Sequence, residues 1–175
     1  MRHLRFLILA CLGVLGCAAG GRASETISAV ITGADGEVIG RAFATDSPHG
    51  VLLGISVKTG GLAPGAHGLH LHSVGDCSDT GTFKLSKGHI NASGKQHGLL
   101  NPEGPDNADL PNLHIAADGS AMAEMFNWRI RLSSGESALL DEDGSALVIH
   151  ANPDDHMSQP IGGAGPRVAC AVLKR

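Results

Sequence analysis

His70 and His72 stand two residues apart in Gly68-Leu69-His70-Leu71-His72, where apolar and imidazole side chains alternate. Successive side chains of an extended strand point to opposite faces, so Leu69 and Leu71 share one face and both imidazoles the other. Two imidazoles on one face can reach a single ion. A third closes the apolar run Leu147-Val148-Ile149-His150, and the stretch between supplies His89, His97, Asp106 and Asp109. Imidazole suits copper, zinc and iron, and zinc also accepts carboxylate oxygen. One ion does not take all of these groups. Two neighbouring sites are the economical reading, one all-imidazole and one mixed imidazole and carboxylate. His-x-His alone is weak in a chain with 10 histidines, so the weight rests on the whole constellation.

Strands must position these groups. Alternating segments between Gly, Pro, Asn and Asp clusters predict strands over 26–32, 37–45, 51–59, 68–72, 113–116, 121–128, 145–150 and 167–173. Asp35-Gly36 and the stretch Asp46-Ser47-Pro48-His49-Gly50 read as turns between the first three. Helix signals are weak, with at most a turn or two at 138–140. The expectation is an all-β fold, an eight-stranded Greek-key barrel or sandwich. Two long stretches without period, 74–112 and 152–166, read as functional loops, since structureless loops of that length are uncommon in a compact domain.

The 175 residues suit one domain, and a chain of this size buries roughly two-thirds of its unfolded surface without heavy stapling. Apolar residues make up 42% and the net charge is −4, which argues against disorder. The acidic balance without basic clusters also argues against a nucleic-acid partner. Residues 1–23 read as a secretory signal, with Arg2 and Arg5 before the apolar run from Leu4 to Leu15. Small Gly21 and Ala23 allow cleavage before Ser24. Val14-Leu15-Gly16-Cys17 also resembles a bacterial lipoprotein signal, which offers a second outcome, lipid anchoring through Cys17. The mature domain is then 24–175, more acidic for the loss of Arg2, Arg5 and Arg22. Only Cys77 and Cys170 remain in it, an even pair in an oxidising compartment, and they predict one disulfide.

Several stretches together resemble the bacterial copper,zinc superoxide dismutases. They are Gly68-Leu-His-Leu-His72, Gly75-Asp-Cys77, Gly88-His-Ile-Asn91, Gly94-Lys-Gln-His-Gly98, Asn101-Pro-Glu-Gly-Pro105, Asp109-Leu-Pro-Asn112, Asp143-Gly-Ser-Ala-Leu-Val-Ile-His150 and Gly165-Pro-Arg-Val-Ala-Cys170. They occur in family order over most of 26–173. The resemblance implies copper and zinc as cofactors and superoxide as substrate, disproportionated to oxygen and hydrogen peroxide. It implies copper on His70, His72, His89 and His150, and zinc on His89, His97 and Asp109, with Asp106 at the position of the remaining zinc ligand. His89 would be an imidazolate shared by both metals and would take up and return a proton. Asp154 would accept hydrogen bonds from His70 and His97 behind the metals. Arg167 would attract the anion beside the copper. A periplasmic location and a homodimer also follow from the resemblance.

This sequence departs from the family pattern at Asp106, which stands where the third zinc histidine is expected, nine residues after His97 and three before Asp109. A second carboxylate makes the site harder and more anionic; the other reading of Asp106 is a solvated loop carboxylate. Ile90 and Ala92 replace the usual Phe and Pro after His89. A copper-only dismutase with a weakened zinc site and a non-enzymatic copper-binding module are the alternative readings. Retention of Arg167 and Asp154 favours an enzyme. His67 reads as a histidine bonded to backbone, and His49, His114 and His156 as surface or loop residues. Phe126 and Trp128 read as core or subunit-interface residues, and Lys84 and Lys87 as solvated charges or steering groups.

Overall fold

A computed structural model describes residues Ser24–Arg175. The leader, its cleavage position and Cys17 lie outside the described residues. Among the described residues there are nine strands: β1 (Thr26–Gly33), β2 (Val38–Ser47), β3 (Gly50–Val57), β4 (Gly65–His67), β5 (Leu69–His72), β6 (Leu113–Ile115), β7 (Ala121–Asn127), β8 (Ser145–His150) and β9 (Arg167–Leu173). Seven form one curled antiparallel sheet in the order β5-β8-β9-β1-β2-β3-β7, and β4 pairs with β6 in a separate ribbon. The all-β expectation holds. Among the described residues the only helical element is a single 3-10 turn, Lys84–Ser86, and 138–140 is not helical.

The expected strand over 68–72 is preceded by a separate short strand, which raises the count from eight to nine. The break is at Gly68. Its N–H donates to the Asn152 carbonyl and its carbonyl accepts from His150, both at 2.8 Å. A Cβ there would lie 2.7 Å from the Ala164 Cβ. The second long loop therefore packs on this residue, and only glycine leaves room for it.

Alternation writes the core. Val51, Leu53, Ile55 and Val57 of β3 are buried while Leu52 between them is exposed. Leu69, Leu71, Leu147 and Ile149 face the same interior, joined by Leu113, Ile115, Ile130, Leu132 and Leu139. β5 and β8 are buried on both faces. Their outer face is covered by the first loop, where Phe83 packs with Ala146, Val148, Cys170 and Cys77 in a second apolar cluster. The Cys77–Cys170 disulfide is formed and spans 93 residues. It ties that loop to β9. Phe126 and Trp128 do not fill the core: they are 50% and 62% exposed.

Candidate metal centre

Strand register sets the first cluster. His70 pairs with Val148 and His72 with Ala146, so the imidazoles stand on the outer face with Val148 and Ala146 while the leucines point inward. His150 ends β8 on that same face. The register of β8 against β9 slips between Ile149 and His150, so that Ile149 faces Ala169 but His150 faces Arg167. Without that bulge His150 would face Val168 and Arg167 would point inward with Ala169. The extra residue turns Arg167 to the histidine side, a familiar use of bulges beside active sites.

Each of the four imidazoles uses one nitrogen for a protein partner. His70 Nε2 is 2.8 Å from Asp154 Oδ2, His72 Nδ1 is 2.8 Å from the Lys87 carbonyl, and His150 Nδ1 is 2.9 Å from the Gly165 carbonyl. His89 Nδ1 is 2.8 Å from Asp106 Oδ2. The other nitrogens, His70 Nδ1, His72 Nε2, His89 Nε2 and His150 Nε2, are buried and have no hydrogen-bond partner. Buried polar atoms are rarely left unpaired, because desolvation without a partner is costly. His70, His72 and His150 offer ligand nitrogens within 4.8 Å of one another, a donor set suited to one metal ion, and the His89 ring stands beside them, 4.4 Å from His70 and 5.4 Å from His72 between centroids.

The second cluster begins on the far side of His89. His89, His97, Asp106 and Asp109 offer ligand atoms all within 4.8 Å of one another. Asp106 is buried and is not the solvated carboxylate of the alternative reading. Its Oδ1 accepts the N–H groups of Ala108 and Asp109, at 2.9 and 3.0 Å, leaving Oδ2 for the site. Asp109 is arranged alike. Its Oδ2 accepts the N–H groups of Gly98 and Asp106, and Oδ1 lies 2.6 Å from His97 Nδ1. Two nitrogens and two monodentate oxygens match a four-coordinate zinc site.

Asp154 joins the clusters: its Oδ2 takes His70 and its Oδ1 takes His97 Nε2 at 3.1 Å. Gly162 lies directly over this carboxylate, at a positive φ of 60° with no room for a Cβ. Asn112 fixes the Asp154 main chain by two hydrogen bonds, and Gln159 does the same for His97. Sequence reasoning quoted Asn112 only inside a motif and missed Gln159, since neither is a ligand type. Burial, and then the Arg167 charge, hold the His72 imidazole well below its usual pKa. Burial, then the other histidines, push His150 down to about 4. Burial also works against a charged His97, but the hydrogen bonds that it donates to Asp109 and Asp154 prevail and raise its pKa to about 10. Burial opposes ionisation of Asp154 as well, and the bonds from His70 and His97 outweigh it and lower its pKa.

Arg167 Nη1 donates to the Phe83 carbonyl and to Ser86 Oγ, and Nη2 to the Lys87 carbonyl at 2.6 Å. It lines a cleft of about 550 Å³ with His72, His89 and His150. Lys84 and Lys87 are exposed on the loop that holds it. His67 sits between the carbonyls of His150 and Ala63. His49 and His114 are exposed, whereas His156 is half-buried with its Nδ1 3.5 Å from Asp154.

Residues 34–173 match the family model described as copper/zinc superoxide dismutase. A Cu-Zn superoxide dismutase of Caulobacter vibrioides is 51% identical over 150 residues, covering 84% of each chain. A Cu-Zn superoxide dismutase of Aquifex aeolicus is 45% identical over 80% of this chain and 81% of its own. The crystal structure of a superoxide dismutase-like protein from Bacillus subtilis superposes with a TM-score of 0.78 at 32% identity, covering 83% of this chain and 97% of the other. The family uses copper and zinc, and the two histidine-rich clusters are donor sets of the right kind for both. By sequence and by fold, the chain belongs to the copper/zinc superoxide dismutase family.

Proposed function

We propose that the protein is a superoxide dismutase in which His70, His72, His89 and His150 hold copper and His89, His97, Asp106 and Asp109 hold zinc. The observation that carries this assignment is the set of four buried, unpartnered imidazole nitrogens beside the Arg167 cleft. Bound copper supplies the one-electron chemistry, so that two superoxide ions and two protons become one oxygen and one hydrogen peroxide. Zinc has no redox change of its own and serves to hold His89 and the loop.

The chain's own residues do the rest. Arg167 offers a fixed positive charge at the cleft, and its bonds to three groups of the first loop keep the guanidinium in place. A cation in a narrow cleft raises the local concentration of an anionic substrate. His89 lies between both clusters, so its Nε2 can take a proton and return it to the product. Asp154 fixes the orientation of His70 and His97 through their other nitrogens, as carboxylates behind metal-bound histidines do.

The exported leader and the disulfide support a periplasmic location. The mature chain ends its export either free, after cleavage before Ser24, or anchored by a lipid on Cys17; the mass of the purified mature protein distinguishes them. A homodimer completes the reading. It is supported by exposed Phe43, Leu52 and Phe126 on the outer sheet face, with Leu52 directly opposite Phe126, and sedimentation velocity tests it.

The deciding experiment loads the metal-stripped protein with copper and zinc and follows superoxide decay. Activity should require copper and should not return with zinc alone. A protein with both metals bound and no activity would refute the enzyme assignment.

A further inference from the structure

The segment 106–109 carries both carboxylates of the mixed cluster, and all four of its main-chain carbonyls are held. Arg129 donates from Nε to the Asp106 carbonyl at 3.0 Å and from Nη2 to the Asp109 carbonyl. Asn127 donates to the Asn107 carbonyl at 2.9 Å, and the Leu71 N–H to that of Ala108 at 3.3 Å. The Asn107 side chain returns a bond to the Arg129 carbonyl at 2.7 Å, and Asn127 Oδ1 accepts the Arg129 N–H at 2.8 Å. The end of β7 and the residues just beyond it therefore grip the carboxylate loop from behind. One guanidinium reaches both carboxylate-bearing residues.

Charge gives this grip a second purpose. Asp106 Oδ2 and Asp109 Oδ1 lie 2.8 and 3.8 Å from the same His89 nitrogen. Two carboxylates held that close repel when both are ionised. The half-buried Arg129 interacts favourably with both. Its planar fork is also suited to two carbonyls at once, which the point charge of a lysine is not.

We propose that Arg129 is the positioning residue of the mixed metal site: it fixes Asp106 and Asp109 through their carbonyls and sets a positive charge behind them, so that two carboxylates can share a divalent cation with His89 and His97. This rests on the assignment of that cluster to a metal and adds the residue that makes an aspartate workable where the family pattern has a histidine.

The test is a cycle of R129Q and D106H, alone and combined, on the folded disulfide-bonded protein. Zinc dissociation constants come from chelator competition, and the visible spectrum of the cobalt-substituted site reports its geometry. R129Q should weaken zinc binding about tenfold or more, as loss of a group supporting metal ligands commonly does, and should alter the cobalt spectrum. In the D106H background, with one carboxylate fewer, the same change should cost severalfold less, because coupled residues are not additive. R129K, which keeps the charge and loses the fork, should fall between, and it stands in if R129Q does not fold. Zinc affinity within about twofold of the parent, or an equal loss in both backgrounds, would overturn the proposal. These readouts are binding constants, so they stand apart from the dismutase reading, which fails only if the fully loaded protein is inactive.

Discussion

His89 Nδ1 and Asp106 Oδ2 face each other across 2.8 Å in the interior of the mixed cluster. The partner oxygen of Asp106 already holds two main-chain N–H groups, so the free one can turn only toward His89. Asp106 is thus built into the site, and its removal should be felt there. Asp106→Ala is expected to lower zinc affinity by about 10–100-fold, the usual range for loss of support at a metal site, while copper remains bound. Metal content after dialysis against a weak chelator measures this. Full zinc retention in the variant would show that Asp106 is not a ligand.

Arg167 stands opposite His150 and touches no carboxylate within its own hydrogen bonds. Arg167→Ala should keep copper but lose about tenfold or more in rate, with a flatter dependence on ionic strength, because guidance by a fixed charge is screened by salt. Rates measured across a salt series decide it. An unchanged rate would remove the steering role.

Asp154 is bonded to one histidine of each cluster. Asp154→Asn keeps the shape but removes the charge and one of the two acceptors. Both metals should weaken in parallel, each by about 10–100-fold. Titration with either metal checks this, and a loss confined to one metal would contradict the bridging role.

The pH dependence of the metal-stripped protein follows from the shifted histidines. His72 and His150 are lowered, the latter to about 4, so between 6.5 and about 4 the unfolded chain binds more protons and stability falls as pH falls. His97 is raised to about 10, so its contribution is complete below 6.5 and is lost as pH rises through 10. Asp154 is lowered, and its contribution, present above 3.8, is lost under stronger acid. The melting temperature should therefore peak near neutrality. A flat profile from pH 4 to 10 would contradict these environments.

The disulfide links β9, three residues past Arg167, to the loop that supplies all the Arg167 acceptors. Cys77→Ser with Cys170→Ser should destabilise the fold by about 4–5 kcal/mol on the chain-entropy model. It should also reduce activity more than copper content, since the acceptors of Arg167 are freed. Denaturant unfolding and specific activity per copper test the two effects separately.

Much of this was legible in the residues. Alternation in Val51-Leu52-Leu53-Gly54-Ile55 and in Leu69-His70-Leu71-His72 states which faces are buried, because strand side chains have a period of two. The cysteine pair and the histidines and aspartates that the fold gathers into two clusters were also readable, since they depend on residue type and order along the chain. The tertiary structure alone decided three things. The slip between Ile149 and His150 turns Arg167 toward the histidines, and register defects leave no mark in a hydrophobic pattern. Gly68 divides two strands because Ala164, almost a hundred residues away, packs against it. Arg129 grips the carbonyls of Asp106 and Asp109, and main-chain acceptors carry no side-chain identity from which a distant donor can be inferred.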